Sequence, residues 1–105
     1  MSRERAELLL SSKIVLYSGD VREIVIWKVP ISEHFPMGVK YRLVLVDPIW
    51  KKTLLLFENR TSEGNHISMI NGQECSYDFI SVKSLIEDFL LMESKLEKKN
   101  ESNEN

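Results

Sequence analysis

Lys40 and Arg42 in "KYRL" (40–43), with Glu58 and His66 in "FENRTSEGNHIS" (57–68), are the residue types that cutting RNA requires. Cleavage by the RNA's own 2′-hydroxyl needs a base to take that proton, an acid for the leaving oxygen, and cations for the charge on the phosphorane. His66 and Glu58 are the candidate proton-transfer groups. Lys40, Arg42 and Arg60 are candidate phosphate holders, Arg through a two-pronged contact, and Asn59 and Arg60 are assigned to substrate binding. No cofactor and no metal is expected, because His34 and His66 are the only histidines and no HxxxH or CxxC spacing occurs. The plainer alternative is a solvated cross-strand pair of cation and carboxylate, worth roughly 0.2–1 kcal/mol, beside an ordinary loop histidine.

Whether these residues meet depends on the strands that carry them. "VKYRLVLV" (39–46) alternates, with Val39, Tyr41, Leu43 and Leu45 on one face and Lys40, Arg42, Val44 and Val46 on the other. Asp47-Pro48 opens a turn, and "KTLLLFE" (52–58) is the next strand. With residues 47–51 as the loop, Val46 faces Lys52, Val44 faces Leu54, Arg42 faces Leu56 and Lys40 faces Glu58. Lys40, Arg42 and Glu58 then cluster at the far end of the hairpin, and the Gly64 turn is expected to return His66 over them. A slip of one residue would turn Glu58 to the other face.

The remaining elements follow from composition and period. "AELLLSSKIVLYSGD" (6–20) reads as a short turn of helix or an extended entry and then a strand around Ile14–Tyr17, which Ser18-Gly19-Asp20 joins to the β-branched run "VREIVIWKV" (21–29) in an expected hairpin. "HISMI" (66–70) reads as a fifth short strand, ended by the turn pair Asn71-Gly72. From Ser81, an N-cap residue, Val82, Leu85, Ile86, Phe89, Leu90 and Leu96 recur at helical spacing, with Lys83, Glu87, Asp88 and Glu93 between them. Tyr77 and Phe79 are expected beneath the start of this helix, Trp27 in the core and Trp50 at a turn. Strands first and one helix last, joined by short links, predict an α+β fold. That fold is a largely antiparallel sheet of four to five strands with an amphipathic helix over 81–97 on the Val39–Leu45 face. Residues 1–97 are expected to form the single domain and 98–105 a polar, disordered tail.

Bulk properties narrow the function classes. The chain has 105 residues, 43% of them hydrophobic, which suits one small core. A formal net charge of −2 provides no global basic field for nucleic acid, so RNA contact requires a local cluster of Lys and Arg. The one cysteine, Cys75, allows no intramolecular disulfide and is read as an inert small residue. No signal peptide or bilayer-spanning run is read, so a cytoplasmic location and no membrane association are expected.

"VIWKVP" (25–30), "KYRL" (40–43), "FENRTSEGNHIS" (57–68), "YDF" (77–79) and "LIEDF" (85–89) stand in the order and spacing of the TumE-type toxins of prokaryotic toxin–antitoxin modules. The resemblance covers about residues 6–92. Phe57, Glu58 and Asn59 match the start of the family pattern, Gly64 its turn and His66 the first of its two histidines. Asn65 stands where the family has Asp, Glu63 where it has a basic residue and Ser68 where it has the second histidine, so a two-histidine chemistry would be halved here. The resemblance implies a small cytoplasmic toxin neutralised by a helix-turn-helix antitoxin encoded beside it. Ribonuclease action is an inference from the Lys, Arg, Glu and His set and from the habits of small toxins. The alternative is a binding protein that docks an antitoxin or another regulator through an exposed sheet face or edge. Val44, Val46, Leu54 and Leu56, away from the helix, would favour such a partner, a second copy in a homodimer, or cover by the N-terminal segment.

Overall fold

The computed structural model describes residues 5–59 and 65–102, with side chains described as far as residue 97. Arg60, Glu63 and Gly64 lie outside the described residues. The chain is a six-stranded antiparallel meander followed by one helix: β1 (Glu7–Val15), β2 (Val21–Lys28), β3 (Val39–Asp47), β4 (Lys52–Asn59), β5 (His66–Ile70), β6 (Gln73–Ser76) and α1 (Val82–Ser102). Every strand pairs with its neighbour in sequence. The class is the one the pattern predicts, with one strand more than expected. β6 was hidden because "QECS" has no apolar alternation, and it forms because the Asn71-Gly72 turn returns the chain along β5. Both turn residues have positive φ, 50° and 83°, as a two-residue hairpin turn requires. β1 starts at Glu7 rather than near Ile14, since pairing with β2 overrides the helix-like look of "AELLL".

Alternation builds the core on one face. Ile24 and Ile26 of β2, Tyr41, Leu43 and Leu45 of β3, and Leu55 and Phe57 of β4 meet Leu85 and Phe89 of α1, both 0% exposed. Phe89 meets the Phe57 ring edge-on at 5.4 Å, and Tyr77 packs on the other side of Phe57 at 4.9 Å. Phe79 stacks on Tyr41 at 5.6 Å, so Tyr77 and Phe79 do lie by the helix start. Ser81 caps α1: its Oγ accepts from the Ser84 amide at 3.1 Å, while Ser84 Oγ accepts from the Ser81 amide at 3.2 Å.

Two details of α1 depart from the spacing. Ile86 is half-buried and Leu90 exposed. Glu93, expected on the polar side, is 5% exposed. Positions 85, 89 and 93 are one stripe of the helix, and Glu93 lies over β2, where Arg22 points to the same face as Ile24. Arg22 Nε and Nη2 donate to the two Glu93 carboxylate oxygens at 2.8 and 2.6 Å. That carboxylate raises the Arg22 guanidinium above its ordinary pKa. Helix α1 also runs to Ser102, past the predicted end at 97.

The β3–β4 hairpin fixes the candidate residues. Asp47 carboxylate accepts from the Ile49 and Trp50 amides at 3.0 and 3.3 Å, and Lys51 takes φ 52° to close the turn. Asp47 pairs with Lys52, and one extra residue, Leu54, is then accommodated between the pairs Val46–Thr53 and Leu45–Leu55. Val44 therefore faces Leu56, and Arg42 rather than Lys40 faces Glu58.

Phe89→Ala should cost about 3–5 kcal/mol, because its ring is wholly enclosed by core side chains. Glu93→Ala should be of similar weight, since it strands a largely buried guanidinium, whereas Arg22→Leu combined with Glu93→Leu should recover most of the loss. Urea denaturation of the three variants checks both statements.

Candidate functional site on the open sheet face

The face of the sheet opposite α1 carries the cationic candidates. β2 presents Glu23, Val25 and Trp27 there, β3 presents Lys40 and Arg42, and β4 presents Glu58, because each alternates with a core residue of its own strand. The register sets Val25, Arg42 and Glu58 in one row across three strands, and Trp27 beside Lys40 in the next. These six residues, with Tyr41 and Asn59, line a cavity of about 290 Å³, near the lower end of the roughly 300–1,000 Å³ typical of ligand sites. Lys40 and Arg42 are exposed, while Glu23, Val25, Trp27 and Glu58 are half-buried. Arg42 and Glu58 are register partners, yet among the described residues the ion pair within 4.0 Å is Arg22–Glu93. The cavity thus offers two cations and two carboxylates that are not spent on each other.

Asn59 borders this cavity as well, but its side chain is engaged with the backbone of β3. It is buried, its Oδ1 accepts from the Tyr41 amide at 2.9 Å and its Nδ2 donates to the Val39 carbonyl at 2.7 Å. It holds β3 against the end of β4, past the last ladder pair, with both ends of its amide engaged there. Its companion in that assignment, Arg60, is outside the described residues.

His66 is on the other side of the sheet. It pairs with Asn59, one position out of phase with Glu58 and Ile67, and so faces the helix side. Its Nδ1 is 2.8 Å from the Tyr41 hydroxyl, and its ring packs in a three-ring cluster with Tyr41 at 5.6 Å and Phe79 at 5.1 Å. The expected convergence of Lys40, Arg42, Glu58 and His66 is therefore not formed: the first three share a face and the sheet separates them from the fourth. Burial lowers the His66 pKa, which keeps the imidazole neutral at pH 7. Burial likewise raises the Tyr41 and Tyr77 hydroxyls, the latter also donating to the Asp88 carboxylate at 2.6 Å. His66 borders a second cleft of about 520 Å³, with Asn65, Glu74, Cys75, Ser76 and Tyr77. Ser68, two positions along β5, shares the His66 face.

Glu23, Val25 and Trp27 were not singled out by composition, and Trp27 was expected in the core. Alternation within "VREIVIWK", counted from Ile24 and Ile26, would have placed all three on the open face. Trp50 and His34 are exposed on loops, and Cys75 is an exposed free thiol. Among the described residues no three His, Cys, Asp or Glu side chains are grouped to hold a metal ion. No helix among them is long and apolar enough to cross a membrane.

The depressed His66 pKa has a definite consequence for stability. Between that value and the ordinary 6.5, the unfolded chain binds more protons than the folded one, so stability is full above about pH 6.5 and declines as the pH falls through this window. Melting temperatures from pH 7.5 down to pH 5 should fall for the parent chain, and His66→Phe should flatten that part of the profile. Compared with known proteins, the chain matches no family model, no curated protein and no solved structure.

Proposed function

We propose that this chain is the toxin component of a type II toxin–antitoxin module and that it acts in the cytoplasm as a ribonuclease through the open sheet face. The resemblance to the TumE-type toxins supports the first part. One observation carries the second: Lys40, Arg42 and Glu58 border one uncovered cavity without pairing with each other. In this reading the Glu58 carboxylate takes the 2′-hydroxyl proton, and O2′ bonds to phosphorus as the bond to the 5′-oxygen breaks. Arg42 balances the charge on the phosphorane by a two-pronged contact. The Lys40 ammonium returns a proton to the leaving oxygen. His66 positions the Tyr41 ring from behind the sheet and touches no substrate.

Expression without the antitoxin should then slow growth and degrade RNA. Arg42→Ala should reduce cleavage about 10²–10³-fold and Glu58→Gln about 10²–10⁴-fold, with melting curves unchanged. His66→Phe and Ser68→His should leave cleavage in place, since both positions face the helix side. Loss of cleavage in a folded His66→Phe protein would move the chemistry to the second cleft.

A reading without catalysis, in which the chain only docks an antitoxin or other regulator, is favoured by β1. This strand forms one edge of the sheet with Leu8, Leu9, Ile14 and Val15 exposed, and such an edge can take a strand from another protein or a second copy. The neighbouring helix-turn-helix protein, if it is the antitoxin, should co-purify with the chain. A Pro at Ser11, Lys13 or Val15 should prevent this if β1 is the docking edge. Parent protein that binds the partner but leaves RNA and growth untouched would establish this second reading.

A further inference from the structure

We propose that β2 supplies a base-reading subsite selective for guanine beside the phosphate-holding residues of β3 and β4; the inference rests on the RNA reading above. Glu23, Val25 and Trp27 are successive open-face positions of β2 and all border the same cavity as Arg42 and Glu58. Val25 stands directly across from Arg42, and Trp27 directly across from Lys40. Val25 is a small apolar floor between an indole and a carboxylate, each two residues and roughly 6.6 Å away along the strand. A flat, amphipathic ring laid there has the Trp27 π-face on one side and the Glu23 oxygens at its edge.

The chemistry of Glu23 selects which ring. An ionised carboxylate only accepts hydrogen bonds, and its two oxygens can take two parallel donors. Guanine presents two adjacent donors on its pairing edge, the N1–H and the 2-amino group. Adenine and cytosine present one donor beside an acceptor, and uracil one donor between two acceptors. Each of these sets a lone pair against a Glu23 oxygen. Glu23 is half-buried, and among the described residues it makes no ion pair within 4.0 Å, although Lys13 is its register partner on β1. An acidic peptide drawn to Lys40 and Arg42 would meet Glu23 and Glu58 as like charges, whereas a nucleotide brings base donors to one carboxylate and its phosphate to the cations. With the base on β2, the adjoining phosphate falls over Arg42 on the next strand, about 4.8 Å away, and Glu58 lies one strand further.

The test uses purified protein and four fluorescein-labelled oligouridines whose central residue is guanosine, adenosine, cytidine or uridine. Uniform 2′-O-methylation removes the nucleophile, so binding is read by anisotropy without cleavage. The guanosine oligonucleotide should bind roughly 5- to 150-fold more tightly than the others. Glu23→Gln should abolish that preference while leaving binding to the uridine tract, and Trp27→Ala should weaken all four by roughly 5- to 150-fold. Circular dichroism and melting curves identify variants that fail to fold, and the comparison among bases on the parent protein needs no variant. Equal binding of all four oligonucleotides overturns the guanine subsite and leaves the RNA reading standing. Absence of binding to any of them overturns both. A guanine preference that survives Glu23→Gln overturns the assignment to β2.

Discussion

A single helix lies on a six-stranded sheet, and that inequality governs the rest of the molecule. One amphipathic helix has one apolar stripe, so it can cover only one sheet face. Leu85 and Phe89 fill the ground between β2, β3 and β4, Met92 and Leu96 pack at its margin, and the Arg22–Glu93 pair ties the helix to β2. A charged pair at that point contributes less as net stability than as placement, since a misplaced helix would leave both ions buried and unmatched. The polar groups capable of chemistry are thereby divided between an open face and a covered one.

The open face is less apolar than a count of its residues suggests. Val44, Leu56 and Ile67 point away from the helix but are only 4%, 8% and 6% exposed. Leu54, expected beside them, instead packs against the helix-side core, because the extra residue accommodated at that point of β4 turns it there. What remains accessible on this face is mainly the cavity with its cations, carboxylates and Trp27. The apolar groups left exposed lie on edge strand β1, on the loops and at Leu90 and Leu91 of α1, and those on β1 suit a protein partner at the edge.

The β3–β4 register is the quantity on which the site turns. The tight Asp47 turn and the extra residue at Leu54 each displace the pairing by one residue from the simplest hairpin. The two displacements add to two, which is the period of a strand. Glu58 consequently keeps the face that alternation assigns to it and moves one row, from Lys40 to Arg42. Either displacement alone would have put Glu58 into the core side and left Arg42 without a neighbouring carboxylate. Asn59 secures the outcome by tying the end of β4 to the Val39 carbonyl and the Tyr41 amide.

Local pattern was sufficient for most of the elements, β6 and the early start of β1 excepted. The β-branched runs of 21–28 and 39–47, the Asn71-Gly72 turn, the Ser81 cap and the Leu85–Phe89 spacing each carry their structure in neighbouring residues, and so does the shared face of Lys40 and Arg42 within β3. The role of Glu93 was not legible, because a carboxylate in a helix reads as polar surface until a guanidinium 71 residues away is known to lie beneath it. Nor was that of Asn59, whose partners are backbone groups of another strand. His66 shows the limit most clearly. Its type and its distance from Glu58 along the chain suggested one reactive cluster, but eight residues of separation do not determine which face a strand presents after a loop. Pairing with Asn59 decided that, and it placed the imidazole against Tyr41 and Phe79, on the far side of the sheet from Arg42.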